Sequence, residues 1–271
     1  MSEITIRLNP ASQTEDEMQI LNQDRFEQLI QEAKDADFTG WDFSWLDRRM
    51  EQQDPPWDFA EIVRSHLPST NHLLDMGTGG GEFLASLAPL PEDTHATESH
   101  PPNQAIADTR LSPLGVKRHM LQEGEALPFP ENHFDLILNR HDSFVPEEIY
   151  FILKPGGVFI TQQVGGLDNL KLNQMLEDQV SCPYASWDLA PALTGLYAAN
   201  LSIIRAEKAA LQTRFLDIGA VVYYLRAIPW QVSGFSVETH WEGLVKIHNL
   251  IERQYPFVCT AHRFLVIAQK E

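Results

Sequence analysis

The chain has 271 residues, 43% of them hydrophobic, which suffices for a full core and fits a soluble globule rather than a fibrous or disordered chain. Its 20 basic and 38 acidic residues leave a net charge of −18, a surface that repels phosphate backbones and so argues against a nucleic-acid partner and for a small-molecule one. Two cysteines, Cys182 and Cys259, cannot make a disulfide framework, and the ten histidines form no H-E-x-x-H or Cys/His cluster at ligand spacing, so no metal is expected. No apolar run reaches the ~18 residues of a membrane span. Met1 to Thr5 lack a basic region followed by an apolar one, and a cytoplasmic protein is expected.

Residues 1–66 read as a helical extension, with helical apolar spacing from Asp24 to Ala33 and Asn22 or Gln23 placed to cap it. An aromatic stretch follows, carrying Trp41, Trp45 and Trp57, before a helix from Ala60 to His66. These tryptophans either cover a ligand or line its pocket, or they glue the extension to the body of the protein. Asn71 to Leu74 then form an apolar strand that runs into Asp75-Met-Gly-Thr-Gly-Gly-Gly81, and Glu82 to Leu87 continue as a helix. Glycines at 77, 79 and 81 permit a sharp turn and close approach of the backbone to a ligand, with free N–H groups at the start of the helix. The dinucleotide fingerprint G-x-G-x-x-G would need its third glycine at 82, where Glu82 stands, and a glutamate is a poor neighbour for a pyrophosphate.

A second strand, Thr94 to Thr97, ends at Glu98, near the ~20-residue offset at which a carboxylate grips ribose hydroxyls. The alternative for Glu98 is a solvated carboxylate at a strand end. Val116 to Leu121 make a third strand, which enters Glu123-Gly-Glu-Ala-Leu-Pro-Phe-Pro130. Glu131 to Asn139 make the fourth, followed by Arg140, His141 and Asp142. A short amphipathic helix from Glu147 to Leu153 is stopped by Lys154-Pro-Gly-Gly157 ahead of a strand at Val158–Thr161. Gln162 to Gly166 read as a polar loop at the strand's C-terminal end, with Gln162 or Gln163 available to an acceptor or to cap the turn. A helix from Trp187 to Asn200 leads to a strand at Ser202–Glu207, and a last strand is expected at Arg263–Ala268. Between them, helical patterns at Ile218–Ala227 and Trp241–Gln254 exceed what a hairpin needs and read as an inserted cap around residues 209–261.

Four ordered features carry a family resemblance. They are D-x-G-x-G-x-G at Asp75–Gly81, the acid Glu98, the E-G-E-A-L-P-F segment where the family often has D-A-x-x-L-P-F, and the Phe-Asp strand followed by L-K-P-G-G. The chain resembles the class I S-adenosylmethionine-dependent methyltransferases, with motifs like those of methyltransferase type 11. The resemblance implies an α/β, Rossmann-like three-layer αβα sandwich over residues 67–271, with a seven-stranded, mostly parallel sheet ending in an antiparallel pair. It also implies S-adenosylmethionine as cofactor, held by Asp75, Gly77, Thr78, Gly79, Glu98, Glu123, Gly124 and Asn139. Glu123, or Glu125 in its place, would accept from the adenine amino group.

In-line displacement at a sulfonium-activated methyl carbon draws most of its rate from holding the acceptor atom about 3 Å away. For a hydroxyl or protonated amine, His141 is the expected base. Arg140 could instead clamp an acidic acceptor's carboxylate. A small-molecule acceptor is the leading expectation. RNA or protein methylation on the same core, a catalytically silent cofactor-binding or scaffold protein and, more distantly, a nicotinamide oxidoreductase are the alternatives.

Overall fold

A computed structural model describes residues 15–38, 41–122, 124–253 and 255–271, with side chains from residue 22 onward. The opening residues read for a leader lie outside these. In chain order the elements are α1 (Glu15–Asp35), β1 (Met50–Gln52), α2 (Phe59–His66), β2 (His72–Met76), α3 (Glu82–Ser86), β3 (Asp93–Glu98), α4 (Pro101–Leu111) and β4 (Lys117–Met120). They continue with β5 (Phe134–Arg140), α5 (Pro146–Ile152), β6 (Leu153–Val164), α6 (Leu170–Leu176), α7 (Leu189–Ala198), β7 (Leu201–Phe215), α8 (Ile218–Ala227), α9 (Trp241–Glu252) and β8 (Phe257–Lys270).

Among the described residues one sheet of eight strands runs β1-β7-β8-β6-β5-β2-β3-β4. The β4-β3-β2-β5-β6 half is parallel, and β8 enters antiparallel between β6 and β7. The central strands β2 and β5 are nearly continuous buried runs, because helices cover both faces. Trp57, Val63, Leu84, Leu111, Leu136 and Leu265 fill one side, and Phe134, Ile149, Phe159, Leu196 and Phe264 the other.

Three expectations are corrected. The sheet has eight strands rather than seven, because Met50–Gln52 of the extension pairs antiparallel with Thr213–Phe215. Gln162 to Val164 are not a loop but the end of β6, since β8 pairs with them as Gln162↔Leu265, Gln163↔Phe264 and Val164↔Arg263 and satisfies their backbone. The strands flanking the insertion also run further than their apolar pattern suggests, so residues 216–256 separate them.

The insertion and the extension share a third core. Nine of the ten residues of α8 are buried, all but Arg226, among α1, α6, α9 and the aromatic strand ends Phe215 and Phe257. Arg49 fastens the pieces, with Nη2 2.7 Å from Glu32 of α1 and Nη1 3.7 Å from Asp217, the residue capping α8. Among the described residues no helix is long and apolar enough to cross a membrane.

Phe215 is fully buried between Tyr224 and Phe257, with ring centroids 5.4 and 6.4 Å away. Phe215→Ala should therefore cost about 3–5 kcal/mol, read as a lowered urea midpoint; a shift under about 1 kcal/mol would show that this core is not packed as described.

Candidate cofactor site

The C-terminal ends of β2, β3 and β5 meet at one edge, as the parallel registers require. After β2 the chain turns through Gly77, Gly79 and Gly81 at φ of +63°, +62° and +79°, the left-handed region that residues with a Cβ avoid. Space excludes side chains as well. A Cβ on Gly77 would strike the carboxylate of Asp142, and one on Gly79 would stand 2.6 Å from Cδ1 of Trp41.

The turn is held from below and from the side. The carboxylate of Asp75 is 3% exposed and accepts a hydrogen bond from Thr78 Oγ1 at 2.7 Å, while the Thr78 N–H donates to the Thr97 carbonyl at 2.9 Å. Arg110 of α4 donates to the Gly80 carbonyl and pairs with Glu82, so the charge of Glu82 is largely compensated. The five-residue α3 is too short to supply a strong dipole, and the turn itself forms the cradle.

Three carboxylates converge here. Burial raises Asp75 to about pH 7; the Thr78 hydrogen bond and Arg140 pull the other way, and the carboxylates of Asp142 and Glu98 push it higher. Burial also raises Asp142, opposed by the Ser143 N–H that donates to it and aided by Glu98. Glu98 is 7% exposed, accepting from the His100 N–H at 2.7 Å and from Asn103 Nδ2 at 3.4 Å. A carboxylate retains further lone pairs, so two hydroxyls can still reach it.

An aromatic bridge covers the turn. Trp41 stands over Gly79, stacks on Phe43 with centroids 6.1 Å apart, and meets Trp230 of the α8–α9 connection edge-on at 6.0 Å. Trp45 does something else, stacking on Tyr223 at 4.7 Å beneath Arg49.

Residues 74–161 match the sequence model of the family described as methyltransferase domain. This stretch is a class I methyltransferase domain. Its family uses S-adenosylmethionine. A ubiquinone/menaquinone biosynthesis C-methyltransferase of Pseudoalteromonas translucida (strain TAC 125) is 26% identical over 156 residues, 52% of this chain and 59% of that protein. Its counterpart in Neisseria meningitidis is 26% identical over 155 residues, 53% of this chain and 60% of that one. The chain thus spans about three fifths of the length of the curated relatives it matches. Among solved structures, a Bacillus halodurans C-125 protein provisionally described as a methyltransferase superposes with a TM-score of 0.56 at 14% identity, covering 78% of this chain and 98% of that one. The YcgJ protein of Bacillus subtilis gives 0.53 at 16% identity, covering 78% and 97%. At such identities the likeness is one of fold.

The methyltransferase domain brings most of the expected residues to one edge and sets others aside. Gly77, Thr78, Gly79 and Glu98 surround the turn, with Asp75 beneath it. Gly124 lies in an exposed turn at φ +77° with open space around it, and Glu125 folds back to accept from the Gln122 N–H at 2.8 Å. Glu123 lies outside the described residues. Asn139 departs from expectation, because its side chain is fully buried and engaged: Oδ1 accepts from Thr161 and Gln163, and Nδ2 donates to the Ser143 carbonyl.

His141 is engaged as well. Trp57 Nε1, which can only donate, bonds Gln162 Oε1 at 2.7 Å, so the Gln162 amide turns its NH2 to His141 Nε2 at 3.0 Å. That leaves Nε2 as the acceptor and the proton on Nδ1. Desolvation of the ring, followed by the charges of Arg263 and Arg140, lowers its pKa to about 3, although the residue keeps an exposed surface. His141 Nε2 is thus occupied by the Gln162 amide, while the residue stays solvent-exposed.

Asp75 ionises near 3.8 ordinarily and near 7 in the fold, so its stabilising contribution is complete below pH 4 and is lost as pH rises through 7. Asp75→Asn stays neutral throughout. The variant should melt with the wild type at pH 4 and above it at pH 8, and a melting difference independent of pH would contradict a buried, raised carboxyl.

Proposed function

We propose that the protein transfers the methyl group of S-adenosylmethionine to a small-molecule acceptor. The observation that carries this reading is the glycine turn, sterically closed to side chains and ringed by Asp75, Asp142 and Glu98, at the ligand-binding edge of an open α/β sheet. A sulfonium cation suits such an acidic ring, whereas a pyrophosphate does not. When bound, the cofactor supplies a methyl carbon activated by its sulfonium leaving group.

The chain's own residues position and exclude. In this reading Gly77, Thr78 and Gly79 hold the cofactor's backbone side, Glu98 accepts from the ribose hydroxyls, and Gly124 lets the following loop approach the adenine. Trp41 and Trp230 shield the site from water and give the acceptor an apolar wall. A small acceptor is supported by the acidic surface, by this aromatic wall, and by the quinone-biosynthesis role that the relatives' names carry. For an acceptor with a proton to lose, Asp142 takes the place first given to His141. It adjoins Gly77, and burial makes it a stronger base than an ordinary carboxylate. An acceptor that arrives already nucleophilic needs positioning alone.

Calorimetric titration with S-adenosylmethionine, its demethylated product and NAD tests the reading, with binding of the first two and none of NAD expected. Gly79→Val should abolish cofactor binding, and Glu98→Ala should weaken it by roughly 1–3 kcal/mol; unchanged affinity in either removes that residue from the site. Because a cation favours ionised Asp75, affinity for S-adenosylmethionine should rise from pH 6 to pH 8 relative to the uncharged product. A parallel pH dependence of the two ligands would show that the carboxylates do not sense the sulfonium.

A further inference from the structure

At the opposite edge of the sheet the same parallel alignment gathers a second set of titratable side chains. His72 opens β2, Asp93 opens β3 and is its register partner, and His133 directly precedes β5. His72 Nδ1 lies 2.6 Å from Asp93 Oδ2, and His133 Nε2 lies 3.3 Å from the same oxygen. The three donor atoms all fall within 4.8 Å of one another. All three residues are partly buried, between the surface and the core.

The other carboxylate oxygen is occupied. Asp93 Oδ1 accepts from Lys117 Nζ and from His95 Nε2, the latter at 3.1 Å, and His95 Nδ1 accepts in turn from His119 Nε2 at 2.8 Å. Phe129 packs edge-on against both rings of that pair, at 5.4 Å from His95 and 4.8 Å from His119. This outer layer fixes the carboxylate's orientation and leaves Oδ2 facing the two remaining imidazoles, the arrangement in which hydrogen-bonded carboxylates serve metals.

We propose that His72 Nδ1, His133 Nε2 and Asp93 Oδ2 bind one divalent transition ion of the zinc class, clamping the starts of β2, β3 and β5 at the edge away from methyl transfer. Zinc bonds to such donors are about 2.0–2.2 Å long, and a tetrahedral ion holds its ligands about 3.4 Å apart. The His133–Asp93 separation of 3.3 Å is close to that value, the His72–Asp93 hydrogen bond of 2.6 Å opens by roughly 0.8 Å to reach it, and the histidine nitrogens already lie within 4.8 Å of each other. Two imidazoles and one carboxylate suit zinc, cobalt or nickel and not magnesium or calcium, which prefer oxygen. Three protein ligands leave a fourth position to water. The competing role is a plain ion-pair network neutralised by Lys117, whose side chain is 57% exposed and sits on the oxygen that the ion does not need.

The test uses the full chain stripped with a chelator and then titrated with Co2+, read by visible absorption, and with Zn2+, read by calorimetry and thermal melting. One ion should bind, melting should rise, and His72→Ala and His133→Ala should each weaken binding by at least about tenfold. Lys117→Met, which removes the competing cation, should bind at least as tightly. Melting curves without metal show which variants fold, and one folded histidine variant suffices. No saturable binding below about 100 μM ion, or equal binding by wild type and a folded histidine variant, overturns the site. The outcome is independent of the methyl-transfer reading, because binding of the demethylated product to wild type should be the same with and without zinc.

Discussion

Parallel pairing of β2 with β3 on one side and β5 on the other decides which residues of this protein can meet. Parallel strands begin together at one edge and end together at the other, so residues separated by a whole crossover helix become neighbours. At the far ends this joins the glycine turn to Glu98 and Asp142. At the near ends it joins His72, Asp93 and His133. The cost falls on Asp75, a carboxyl that the tight turn keeps almost out of water and that holds its proton to about pH 7. A destabilising buried acid persists where a cationic ligand can reward its ionisation.

Behind the turn, the ends of β5 and β6 are polar and closed. Asn139, Thr161 and Gln163 bond one another, and Trp57, Gln162 and His141 form a second chain. Such networks hold loop geometry when every member has a partner. They also occupy side chains: Asn139 is buried among its partners, and His141 Nε2 is taken by Gln162. Around the turn itself stand carboxylates and an aromatic ring. That division between scaffold and contact surface follows from β8 extending β6 by three residues beyond the expected strand end.

The fold was largely legible, because glycine spacing, strand–turn–helix alternation and the L-K-P-G-G stop are local signals. Helix Ile218–Ala227 was read to the residue, since a run that is apolar but for Arg226 needs no partner to be seen. Non-local effects were not legible. Met50–Gln52 is a strand only because β7 offers it an edge. Arg110 gives no hint in its own helix that it will hold Gly80 and Glu82. Trp57 pins His141 across 84 positions of chain, and no spacing rule foretells the tautomer that results. The histidine cluster escaped for the same reason. A search for ligands one helical turn apart cannot see donors that sit at the beginnings of different strands.

The place of β8 bears on how the molecule assembles. It lies between β6 and β7, which do not pair with each other, and it is later in the chain than both. Until β8 is made, β6 and β7 each present a bare edge, and the sheet exists as two pieces. The same strand carries Phe257 into the core shared by α1, α8 and α9, so the cap and the extension also await it. A ribosome-bound chain would therefore hold a nearly complete glycine turn on an unfinished sheet, and closure would come as one late, cooperative event. Interruptions ahead of β8 leave two sticky half-sheets for chaperones or neighbouring chains.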